Sequence, residues 1–146
     1  MSRIVYWCVL ITSIGVVVCL SASAPTILGD SNKFLREFIG VGFLSVLGVI
    51  LSITLASCAQ LHLNLIATEQ RLERVDAFAS TRRSVRVSAY SLIGLFCLAV
   101  AVTVMKPLAS TEEWQQSLFN GAALLILLSN VLILVSITRT VFRIQI

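Results

Sequence analysis

The chain reads as all-α, a four-transmembrane-helix bundle whose long second helix extends into a cytoplasmic helical hairpin. Three observations predict it. The composition is 58% hydrophobic and only 12% charged, too few polar groups to cover a soluble domain of 146 residues. Four apolar runs, about 4–24, 38–64, 87–105 and 117–138, come close to or exceed the roughly twenty helical residues that a bilayer core requires. The basic residues gather at the ends of those runs and leave their interiors uncharged.

The first run follows a short basic start, Met1-Ser2-Arg3, and places Tyr6 and Trp7 where an interfacial aromatic belt is expected. Ala22-Ser23-Ala24 has the small-x-small form of a signal-peptide cleavage site, but Pro25 would then occupy the first mature position and block processing. The segment is therefore expected to stay as the first span, ended near Pro25 because proline cannot continue the hydrogen-bond ladder.

Asp30, Ser31 and Asn32 are good N-cap residues, so the second helix is expected to start there, with Lys33, Arg36 and Glu37 at the water boundary. From Phe38 to Thr68 there is no Asp, Glu, Lys or Arg, and no proline interrupts the run. That length predicts one unbroken helix that crosses the membrane and continues as a charged extension over about 65–86. On a helical wheel His62, Glu69, Glu73 and Asp76 share one strip, while Arg71, Arg74 and Phe78 share another. Leu61, Leu65, Leu72, Val75 and Ala79 form a third, apolar strip that would let the extension pack on a neighbour.

Ser80-Thr81-Arg82-Arg83 reads as a turn that caps the third helix. Along that helix Ser84, Ser88, Ser91 and Gly94 recur at three- and four-residue spacing, a small-residue seam of the kind that lets helices approach closely in lipid. Lys106-Pro107 closes it. Ser110-Thr111-Glu112-Glu113 forms a capping box for the fourth helix, with Trp114 at the interface. Short connections predict sequential, up-down neighbours in a single integral membrane domain.

Arg3, Arg71, Arg74, Arg82, Arg83, Arg86, Arg139 and Arg143 fall on one side of this layout, against Lys33, Arg36 and Lys106 on the other. By the positive-inside rule both termini face the cytoplasm, in a plasma or bacterial inner membrane ahead of an organellar one. The net charge of +4 comes from these flanking residues and fits anionic lipid headgroups. Without interleaved aromatic and basic residues, a nucleic-acid partner is not expected.

His62, the single histidine, lies near the cytoplasmic end of the second span and is the one candidate for holding a haem or pigment. A lone histidine supplies one axial ligand, so an interfacial, hydrogen-bonded role is the simpler expectation. Asn130, in the middle of the fourth span, is expected to serve as interhelical glue together with the seam. Glu69, Arg71, Glu73, Arg74, Asp76, Arg82, Arg83 and Arg86 are the candidate partner or lipid contacts. The four cysteines, Cys8, Cys19, Cys58 and Cys97, lie singly in apolar runs and read as small hydrophobes.

No phosphate-binding loop, zinc-protease motif or nucleophile elbow occurs, and no span carries an acidic residue of the kind that most cation-coupled transporters need. The expected role is a non-enzymatic accessory, structural or assembly subunit of a larger membrane complex, partnered by other subunits or copies of itself. A homo-oligomeric ion channel or membrane-disrupting effector is the alternative. A haem- or pigment-binding subunit of a redox complex is the third.

Overall fold

The computed structural model describes residues 3–71, 78–108 and 112–144, and every regular element among them is helical. The α-helices are α1 (Arg3–Ser23), α2 (Pro25–Leu28), α3 (Lys33–Glu37), α4 (Phe43–Arg71), α5 (Ala79–Met105) and α6 (Glu113–Ile144). A π-helical turn, Phe38–Gly42, joins α3 to α4, and a 3-10 turn, Lys106–Leu108, follows α5. Four segments are long and apolar enough to cross a membrane: Ile4–Ser23, Phe43–Arg71, Ala79–Leu108 and Glu113–Arg139. This is the build of a multi-pass helical membrane protein.

Helix α6 is the hub of the packing. It contacts α1, α2 and α5, and touches α4 more lightly, while α5 packs between α4 and α6. The buried positions of α6 are Ser117, Asn120, Gly121, Ala123, Ile126, Asn130, Ile133 and Ile137, a mainly three- and four-residue rhythm that keeps one face inward. On α5 the inner face is Val85, Leu92 and Ala99, one residue every seven. These faces meet α4 in two clusters. One joins Phe43 and Leu47 to Ala99, Ala123 and Ile126; the other joins Cys58 to Val85, Leu92, Ile133 and Ile137. Lipid tails are as apolar as these side chains, so close contact and individual polar pairs decide which helices pair.

Four expectations change. The first helix is not a neighbour of the second span: α1 docks on α6 and makes no substantial contact with α4. That contact is tight, because a β-carbon on Gly121 would come 2.3 Å from Cγ1 of Val17, so only glycine lets the two helices approach this closely. The second helix is not unbroken. Asn32 does cap α3, its Oδ1 accepting from the backbone N–H groups of Phe34 and Leu35, but the helix opens into the π turn, where Gly40 leaves helical geometry at φ −83°, ψ −122°. Ser80-Thr81-Arg82-Arg83 is not a turn, since α5 already starts at Ala79. The charged extension does not run as one helix through Ala79 either, since Phe78 is non-helical at φ −114°, ψ 20°; residues 72–77 lie outside the described residues. Ser110, the expected cap of the fourth helix, lies outside the described residues.

Candidate functional site

At the arginine-bearing end, the link between α4 and α5 is held by Glu69. This residue lies on α4 and is only 8% exposed. Its Oε1 accepts the backbone N–H of Phe78 at 2.7 Å, and its Oε2 lies 3.1 Å from Nη1 of Arg82 on the first turn of α5. One carboxylate thus satisfies a backbone donor at the start of α5 and pairs a cation one turn further on. The acidic group of the wheel's first strip turns into the protein at this point. Arg71, Arg83 and Arg86 are exposed and carry no ion pair among the described residues, whereas Glu73, Arg74 and Asp76 lie outside them.

Just below this staple, α4 and α5 part around a groove of about 300 Å³. Leu55, Ala59 and His62 line it from α4, and Arg86, Ala89, Tyr90 and Ile93 from α5, over a floor of Cys58 and Val85. Ala59 and Ala89 are too small to fill the space between the helices. His62 is half-buried here. A second hollow, of about 710 Å³, opens beside Ser80, Arg83, Ser84 and Ser88 on α5. No cluster of three His, Cys, Asp or Glu side chains suited to a metal ion forms among the described residues.

The opposite end is tied together by residues far apart in the chain. Asn120 is fully buried in α6, and its Nδ2 donates to the carbonyl of Leu28 at 2.7 Å and to Oδ1 of Asp30 at 3.1 Å. The same Asp30 oxygen lies 2.7 Å from Nζ of Lys106. Burial by itself pushes the Asp30 carboxyl up, but hydrogen bonds from Lys106 and Asn120 and the charges of Lys106 and Arg36 outweigh it, so its pKa lies below the ordinary 3.8. Ser117 donates to Ser21 at 2.9 Å, linking α6 to α1, and Ser31 donates to Glu113 at 2.9 Å. Gly29 completes the fit, since a β-carbon there would stand 2.8 Å from the Pro25 carbonyl oxygen. The Asn120 Oδ1 is buried without a hydrogen-bond partner among the described residues.

The remaining sequence candidates are scattered. Asn130 is buried, and its amide donates to the Ile126 carbonyl of its own helix at 2.9 Å. Ser84, Ser91 and Gly94 face outward with Ser88 half-buried, and a β-carbon on Gly94 would meet nothing within 4 Å. Asp30, Lys106, Ser21, Ser117 and Asn120 went unnoticed as a set in the sequence. The three-residue step from Ser117 to Asn120 to Ala123 was the available signal that polar groups share the buried face of the fourth span.

Comparison with protein-family models, with curated proteins and with solved structures finds no match.

Proposed function

We propose that the chain is a non-enzymatic accessory, structural or assembly subunit of a larger membrane complex. Gln60 carries this reading. It is exposed on α4, about 10 Å from the middle of the uncharged Phe38–Thr68 run, and so falls inside a hydrocarbon core of about 30 Å. Its amide has no hydrogen-bond partner among the described residues. Such a group in lipid is costly unless a helix from another chain supplies a partner. By contrast Ser52, Thr54, Ser57 and Thr68 on the same helix are satisfied by the carbonyl four residues back. The outward seam of Ser84, Ser91 and Gly94 on α5 offers a second surface on which a helix backbone would approach closely.

In this reading the four spans form a bundle, both termini face the cytoplasm of a plasma or bacterial inner membrane, and α4 and α5 protrude there as a hairpin. Extraction of the tagged full chain in mild detergent, with the intact particle weighed and its components identified, tests the proposal. The same larger polypeptides should accompany the chain each time, and Gln60→Leu should release them. Repeated recovery of the chain alone would overturn it.

The exposed stripe also favours a second reading. Ser45, Ser52, Gln60 and Asn64 fall on one exposed arc of α4, the arrangement that would line a pore around a symmetry axis in a homo-oligomeric channel or membrane-disrupting effector. Absence of ion flux from reconstituted liposomes under any applied potential excludes it.

A further inference from the structure

We infer that the groove between α4 and α5 binds one anionic diacyl phospholipid, with the headgroup at His62 and Arg86 and one acyl chain between Ala59 and Ala89. The inference does not depend on the accessory role, and it follows from a polarity gradient along the groove. At its mouth stand the His62 imidazole and the exposed Arg86 guanidinium, with the tyrosine at position 90, which is 67% exposed, one turn further along α5. Seven residues deeper on each helix the lining is Leu55 and Ile93. That distance is about 10 Å, roughly a third of the hydrocarbon thickness, so the groove follows a chain from the headgroup level into the leaflet.

Charge selects the occupant. Glu69 neutralises Arg82 but leaves Arg86 without an ion pair among the described residues, on the side of the protein where arginines concentrate. A guanidinium presents paired N–H donors that match a phosphate diester, and the tyrosine hydroxyl and imidazole add further hydrogen-bonding groups beside it. A neutral zwitterionic lipid would fit the apolar part equally well but would leave Arg86 with weaker net attraction. A helix from a second copy is a poorer match, because its apolar face would meet an unpaired cation.

The test uses the full chain purified in mild detergent and titrated, by native mass spectrometry, with dioleoyl phosphatidylglycerol or dioleoyl phosphatidylcholine. The expected result is one retained lipid, with the anionic lipid preferred about fivefold, the effect of a single basic residue at a membrane surface. Arg86→Gln, a change at an exposed side chain with no ion pair among the described residues, should erase the preference while leaving residual lipid binding. Ala59→Phe should fill the groove and reduce retention of both lipids. Glycerophosphoglycerol, the headgroup without tails, should not displace the bound lipid. Equal retention of both lipids by the unaltered chain overturns the inference, as does unchanged retention in Ala59→Phe, displacement by the tail-free headgroup, or a dimer in place of the lipid adduct.

Discussion

Replacing Glu69 by alanine removes two interactions at once from the link between α4 and α5. The first is the hydrogen bond from the Phe78 N–H to a carboxylate, a charge-assisted bond that contributes about 1.5–3 kcal/mol. The second is the ion pair with Arg82. Its guanidinium side chain is 23% exposed, so the pair falls nearer to the surface value of about 1 kcal/mol than to that of a fully buried pair. Glu69→Ala should therefore cost about 3 kcal/mol. Glu69→Gln keeps an oxygen for Phe78 but loses the ion pair and the charge assistance of that bond, so it should cost about 2 kcal/mol. Unfolding followed by circular dichroism in mixed micelles, as the denaturing detergent fraction rises, measures both. A double-mutant cycle with Arg82→Ala isolates the pair. A loss below about 0.5 kcal/mol for Glu69→Ala, the range of ordinary surface substitutions, would refute the reasoning. So would a glutamine variant as unstable as the alanine one, because the backbone hydrogen bond would then contribute nothing.

Gly121→Ala should undock α1 from α6 at a cost of about 1–3 kcal/mol, since the new β-carbon displaces Val17. Val17→Ala in the same chain should restore much of the loss, and the thermal stability of the two variants in detergent checks this. For Asp30, the folded state holds the carboxylate below the ordinary 3.8, so the group stabilises the fold above that pH. That stabilisation should fade as pH falls below about 4 toward the lowered folded value. Lys106→Ala should remove much of this acid dependence, read as the change in unfolding midpoint between pH 5 and pH 3.

The number of spans could be read from the sequence because it is a local property. An uncharged apolar run either matches the thickness of the bilayer or does not, whatever lies elsewhere in the chain. Four such runs appeared as four apolar helices, and the Asn32 cap was visible for the same local reason. Which helices touch is not local. Between apolar helices in lipid the choice rests on a few close approaches and polar pairs, and those join residues distant in sequence. The amide of Asn120 reaches the carbonyl of Leu28, 92 residues away, and Val17 meets Gly121 on a helix at the other end of the chain. Glu69 shows the limit at a single position. Its place on the wheel suggested a charge facing outward, but whether it faced a partner or its own chain depended on where α5 began, and only tertiary contact settled that.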